Sequence, residues 1–144
     1  MFGRVGGLQK NSQRHDLLTP VGIIDEADLR ESRALVYPLS NELAKDGCTK
    51  GNIYSSSTVI NETQTELENA LEHGCSCVEM EARETVEAIN SGRRRYNGKL
   101  DVHFGFVGYV SDLPLQGDTL AEEMDSDKGE QDAVRMIVEK IKSE

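Results

Sequence analysis

Cys75-Ser76-Cys77-Val78-Glu79-Met80-Glu81-Ala82, and further along Val102 to Val110 running into Ser111-Asp112-Leu113-Pro114, decide how this chain is read. Each is a short apolar run cut off by polar residues, the pattern of a buried strand that delivers side chains at its carboxyl end. Ligands of open α/β sheets bind at such ends. The pattern therefore predicts that Glu81 and Asp112 lie at the same end of adjacent or near-adjacent parallel strands and face one cleft. A carboxylate pair of this kind can divide its work, one group binding hydroxyls and the other handling a proton.

Outward from these two runs, strands and helices alternate. Leu17 to Ile24 reads as a strand with Pro20 marking an edge or bulge. Asp25 to Ser32 reads as a loop or a short helical turn, Leu35 to Leu39 as a short apolar run, and Asn41 to Asp46 as a brief helix ending at Gly47. Gly51 to Val59, rich in Ser, Thr and Ile, reads as a strand. Thr63 and Glu66 have the spacing of a capping box, ahead of Leu67, Ala70 and Leu71 at helical intervals and a stop at Gly74. Ala82 to Asn90 forms a helix with Val86 and Ile89 inward, closed by Gly92. After a polar loop from Asp112 to Ser126, Asp127 to Lys142 forms an amphipathic helix with Ala133, Val134, Ile137, Val138 and Ile141 on one face. Arg93-Arg94-Arg95 complements a helix dipole in solvent and receives no site role.

Length and charge narrow the function classes. The 144 residues suit one domain, 1–144. A net charge of −10 repels phosphate backbones, so nucleic acid is not an expected partner. No apolar stretch approaches a membrane span, and no basic start leads into an apolar segment of a secretory signal, so a cytoplasmic location without membrane partners is expected. Cys48, Cys75 and Cys77 lack zinc-like spacing. Cys75 and Cys77 would share one face of a strand, where a disulfide is geometrically poor, so reduced thiols are expected. His15, His73 and His103 are scattered, and neither a metal site nor a cofactor is expected.

The same residues carry a resemblance. Val78-Glu79-Met80-Glu81-Ala82 followed by Val110-Ser111-Asp112 resembles the nucleoside phosphorylase and nucleosidase superfamily, whose members cleave the bond between a base and ribose. Arg4-Val5-Gly6-Gly7-Leu8 is similar to the family's Arg-x-Gly-Thr-x-Gly-Gly strand end, and Asp16-Leu17-Leu18-Thr19-Pro20 to its following Gly-Asp-Leu-Val strand. Gly51-Asn52-Ile53-Tyr54-Ser55-Ser56-Ser57 resembles the strand before the base pocket, with Val59 preceding Glu79 at close to the family's spacing. Nearly the whole chain is covered, against the second part of the family's domain. The resemblance implies an α/β fold: a partial three-layer sandwich with a mixed, mostly parallel sheet and flanking helices.

It also implies roles. Glu81 would accept hydrogen bonds from ribose hydroxyls, which a carboxylate can take two at a time. Met80 would pack on the sugar, with Glu79 beside it. Asp112 would protonate or hydrogen-bond the departing base, with Ser111 orienting it. Arg4 would bind phosphate. Val59 and Ile60 fall where the family stacks an aromatic residue on the base. Each residue also has a plainer reading: Glu81 as a favourable charge at a helix start, Asp112 as a turn initiator, Met80 as core filler.

The departures matter too. The family's early strand and glycine-rich phosphate loop have no counterpart in the sequence, and no Thr-x pair stands between Gly6 and Gly7. Little or no phosphorolysis is therefore expected, with hydrolysis less impaired. The implied ligand is a nucleoside or nucleotide, with phosphate a candidate second ligand. The function expected is cleavage of an N-glycosidic bond, by glycosyl transfer to water or phosphate. The alternative is a catalytically inactive nucleoside-binding or structural subunit of a larger assembly. An open sheet edge would invite pairing, so a homo-oligomer or a partner chain is expected.

Overall fold

The structure, a computed structural model, describes residues 1–31, 35–44, 48–58, 62–99, 104–118 and 127–143. Among these residues seven strands and four helices follow in the order β1 (Phe2–Gly7), β2 (Leu17–Leu18), β3 (Gly22–Asp25), α1 (Glu26–Arg30), β4 (Val36–Pro38), β5 (Asn52–Ser55), α2 (Gln64–Glu72), β6 (Cys75–Glu79), α3 (Ala82–Arg95), β7 (Val107–Asp112) and α4 (Asp127–Lys142). The strands form one mixed sheet in the order β2-β7-β1-β6-β5-β3-β4. Its three parallel pairings are the long ones, with five, four and four registered residue pairs. The antiparallel ones register two, two and three. Helices flank this sheet, so the α/β sandwich with a mixed, mostly parallel sheet is the fold observed.

Strand alternation builds the layers. Ile53 and Cys77 face one way, packing with Val5, Val110 and Ala82 at the start of α3. Tyr54 and Val78 face the other way, packing with Leu29 of α1 and Leu67 and Ala70 of α2. Val107 and Tyr109 of β7 pack against Ala133 and Met136 of α4. The capping box forms as expected, with Thr63 accepting from the Glu66 N–H. Gly74 then ends the helical segment at φ 84°.

Local physics corrects several expectations. The single strand expected over Leu17 to Ile24 breaks at Thr19-Pro20, and its halves serve different parts of the sheet. Leu17 and Leu18 pair with β7, whereas Gly22 to Asp25 pair with β5. Proline lacks the N–H that a continuous ladder would need there. Cys75 and Cys77 do not share a face. The register slips between Asn52 and Ile53, leaving Ser76 as an extra residue, so the two thiols enter opposite layers. Both are free and buried. Gly92 does not close α3, which runs to Arg95 and ends where Asn97 and Gly98 take positive φ.

The last strand starts at Val107 rather than Val102, and residues 100–103 lie outside the described residues. Asn41 explains part of the shift. Its side chain binds the Phe106 N–H at 2.9 Å and the Phe106 and Pro20 carbonyls at 2.8 and 2.9 Å, as a neighbouring strand would. Glu42 and Leu43 form a turn, and residues 45–47 of the brief helix expected here are outside the described set. On α4, Ala133, Met136 and Ile137 face the core, while Val134, Val138 and Ile141 are exposed. Among the described residues no helix is long and apolar enough to cross a membrane.

Candidate functional site

Strand β1 lies between β6 and β7 and determines where their ends meet. It runs antiparallel to β6, with Gly6 opposite Val78. It runs parallel to β7, with Gly6 opposite Asp112. The end of β6 and the end of β7 therefore converge on Gly6 from opposite directions. This corrects the expectation of parallel neighbours with a common end: β6 and β7 are antiparallel, one strand apart. A glycine is needed at the meeting point, because a Cβ there would stand 2.8 Å from Val78 Cγ1 and 3.4 Å from Pro114.

A bulge aims the second carboxylate. Val5 pairs with Val110 but Gly6 pairs with Asp112, so Ser111 is an extra residue in the ladder. Such bulges turn the strand and re-aim the side chain that follows. The result is a cleft of about 330 Å³ lined by Arg4, Gly6, Val78, Glu79, Met80, Glu81, Ser111 and Asp112, together with Glu62 and Phe106. It thus gathers six of the site residues expected from sequence. Val59 and Ile60 lie outside the described residues.

The carboxylates differ in what already holds them. Glu79 is buried and fully engaged. Its Oε2 accepts from the N–H groups of Glu81 and Ala82 at 2.6 and 2.7 Å, and its Oε1 from the Ser55 hydroxyl at 3.1 Å. It therefore caps α3 from within the preceding strand, where an anion also suits the helix dipole. Desolvation raises its pKa, opposed by the three hydrogen bonds. Glu81 occupies the N-cap position yet makes no side-chain capping bond. With Glu79 doing the capping, the Glu81 carboxylate faces the cleft with no hydrogen bond or ion pair among the described residues. Met80 is 43% exposed, so it is not core filler.

Asp112 is 9% exposed. Burial raises its pKa, the hydrogen bond from Ser111 and the charge of Arg14 lower it, and Asp118 raises it further. The Ser111 hydroxyl stands 2.6 Å from Asp112 Oδ1 and 3.3 Å from the Val5 carbonyl, two acceptors competing for one proton. Burial and the Ser111 hydrogen bond act in opposite senses on the Asp112 carboxyl, and burial is the larger.

Arg4 is exposed on the cleft wall. Its Nε donates to the Tyr109 hydroxyl at 3.1 Å, which orients the guanidinium and leaves its other N–H groups available for an anion. Glu62 is the residue that the sequence reading missed. It sits just ahead of α2 and forms no hydrogen bond among the described residues. Desolvation, then the charges of Asp112 and Glu79, push its carboxyl up to about 7. The only sequence signal was its place next to Thr63, and nothing there indicated that the chain would fold back over the cleft. Among the described residues no group of three or more His, Cys, Asp or Glu side chains could hold a metal ion.

No protein-family model matches the sequence, and no curated protein matches it. Solved structures share its fold. The P. knowlesi homologue of P. falciparum PNP aligns with a TM-score of 0.62 at 16% identity, over 96% of this chain and 58% of that one. Purine nucleoside phosphorylase from Toxoplasma gondii, in complex with immucillin-H, aligns at 0.61 and 19% identity, over 96% and 60%. A Weissella paramesenteroides protein assigned as a methylthioadenosine nucleosidase aligns at 0.60 and 17% identity, over 99% and 66%. The fold is that of nucleoside phosphorylases and nucleosidases, and the chain spans about three-fifths of the length of these structures.

Proposed function

We propose that the chain binds a nucleoside in the cleft around Gly6 and cleaves its N-glycosidic bond. The observation that carries this reading is the division among the acids. Glu79 takes the capping duty, which frees Glu81 for a ligand, while Asp112 lies across the same cleft in a buried position that raises its pKa. Glu81 would accept from the two ribose hydroxyls, and Met80 would cover the sugar. As the bond from the sugar C1′ to the base nitrogen breaks, its electron pair passes to the base. Asp112 would supply the proton that neutralises it. Water or phosphate forms the new C1′–O bond, and the proton that the nucleophile releases restores Asp112. Arg4 is the group in the cleft suited to hold a phosphate oxygen. Glu62, facing Asp112, would hydrogen-bond the base.

The test is base release from inosine, adenosine, uridine and methylthioadenosine, with and without phosphate, followed by chromatography. Slow, phosphate-independent release that Asp112→Asn abolishes is the expected result. One observation favours a second reading. Glu81, which has no hydrogen bond or ion pair among the described residues, suits ligand binding whether or not a bond is cleaved. Nucleoside binding that Glu81→Gln weakens, without turnover by any variant, would select that reading. No binding at all would sink both.

A further inference from the structure

Arg4 and Tyr109 are register partners where β1 runs parallel to β7, so their side chains leave the sheet on the same face. The two residues differ in what surrounds them. Arg4 is exposed on the cleft wall. Its Nε–H donates to the Tyr109 hydroxyl at 3.1 Å, and among the described residues it makes no other hydrogen bond and no ion pair. Tyr109 is 3% exposed, so it meets Arg4 from inside the protein. Its ring packs with Val107 of its own strand and with Ala133 and Met136 of α4. The first turn of α4 crosses the ring so closely that a Cβ on Gly129 would stand 2.7 Å from Tyr109 Cδ2. A ring held on these sides offers its hydroxyl oxygen at a fixed point.

The shape of the guanidinium makes that point consequential. An exposed arginine samples many rotamers, and fixing one of them when a ligand binds costs conformational entropy. The guanidinium is planar, so a hydrogen bond at Nε sets the direction of the whole fork and leaves both terminal NH2 groups free. Those groups can then meet an anion in an orientation set before it arrives.

We propose that Tyr109 is a positioning residue for Arg4: its buried hydroxyl, seated by α4, aims the guanidinium into the cleft. The choice of phosphate as the anion rests on the reading of Arg4 given above, whereas the anchoring of Arg4 does not. Sequence alone does not join these two residues, which stand 105 positions apart. A tyrosine that merely fills the core predicts something different. Loss of its hydroxyl would then leave the Arg4 guanidinium as it was, because phenylalanine fills the same space.

The experiment uses the intact chain and two readouts. One is the Arg4 Nε–Hε signal in nitrogen-15 NMR, identified by its loss in Arg4→Gln. The other is calorimetric titration with inorganic phosphate, which measures binding apart from turnover. Tyr109→Phe keeps the ring and deletes the anchor. In that variant the Arg4 signal should move and exchange faster with water, and phosphate should bind roughly three- to tenfold more weakly. With Arg4→Gln already in place, Tyr109→Phe should weaken phosphate no further. Thermal melts establish that the variants fold. An unmoved Arg4 signal in folded Tyr109→Phe overturns the proposal. So does phosphate affinity that Tyr109→Phe leaves intact although Arg4→Gln lowers it, or a further loss in the double variant. If Tyr109→Phe does not fold, the parent decides: its Arg4 Nε–Hε should exchange more slowly than that of free arginine, and equal rates overturn the proposal. The two readings fail separately. If the Arg4 signal moves but Arg4→Gln binds phosphate as tightly as the parent, the anchoring stands and the reading of Arg4 as the phosphate ligand falls.

Discussion

Glu79→Ala should damage the fold before it damages any chemistry, and the structure gives the size of the loss. Three donors converge on this carboxylate: the Glu81 N–H at 2.6 Å, the Ala82 N–H at 2.7 Å and the Ser55 hydroxyl at 3.1 Å. Truncation to alanine orphans all three. The Glu81 N–H is only partly buried and can turn to water, but the Ala82 N–H and the Ser55 hydroxyl are buried. An orphaned buried donor costs about 1–3 kcal/mol. Removing a desolvated carboxylate offsets part of that, so the net loss should be about 2–4 kcal/mol. For a domain of this size that lowers Tm by roughly 5–15 °C. Glu79→Gln keeps a carbonyl for the two backbone donors and an amide toward Ser55, so it should cost only about 1 kcal/mol. Urea unfolding of the three proteins, compared at equal m-values, measures both numbers. If alanine costs less than about 1 kcal/mol, or glutamine costs as much as alanine, then Glu79 is not the cap, and the argument that it frees Glu81 collapses.

Other outcomes follow from the same geometry. Glu62 carries a carboxyl raised from 4.5 to about 7, so the native state holds a proton between those values that the unfolded chain has lost. Its contribution is fully present below pH 4.5 and is lost as pH rises through 7. Glu62→Gln should therefore raise Tm relative to the parent at pH 8 but not at pH 4, by an amount that solvent screening of a half-exposed group keeps modest. A pH-independent difference would refute this. Gly6→Ala should cost about 1–3 kcal/mol by overpacking against Val78, and Val78→Ala should recover part of it; strictly additive losses would argue against the contact. At the outer edge of the sheet, β4 is exposed along Val36, Tyr37 and Pro38, next to exposed Leu35 and Val21. Sedimentation equilibrium at micromolar concentration should find species heavier than the 15.9 kDa chain, and a lone monomer with cooperative unfolding would contradict this.

What the sequence disclosed depended on the range of the interaction. The cap of α2 was legible because Thr63 and Glu66 settle it within one turn. The strands at Cys75–Glu79 and Val107–Asp112 were legible as apolar runs with polar ends. Their relative direction was not, because the partner that orients them, Phe2–Gly7, lies far away in sequence and shows itself only through pairing. The expectation of two parallel strands sharing an end was therefore wrong about direction, yet it anticipated the shared cleft. The slip at Ser76 illustrates the same limit. A strict period of two puts Cys75 and Cys77 on one face, and a single extra residue against β5 separates them.

The cleft itself follows from that limit. Its shape is set by three residues without reactive side chains, or nearly so: Gly6, which allows β6 and the turn at Pro114 to close in; Ser111, which supplies the bulge; and Gly117, which turns the chain back. Read one position at a time, Glu79, Glu81 and Asp112 look interchangeable, three acids at strand ends. The fold separates them by what each touches. Glu79 accepts from three donors and becomes structural, Glu81 meets none among the described residues and stays open to a ligand, and Asp112 is buried beside the Ser111 hydroxyl, with its pKa raised by that burial. Exchanging the environments of Glu79 and Glu81 would leave the composition of the cleft unchanged and remove the reason to assign it a chemistry. The capping bonds of Glu79, more than the presence of the Glu-Met-Glu sequence, leave Glu81 open to a ligand.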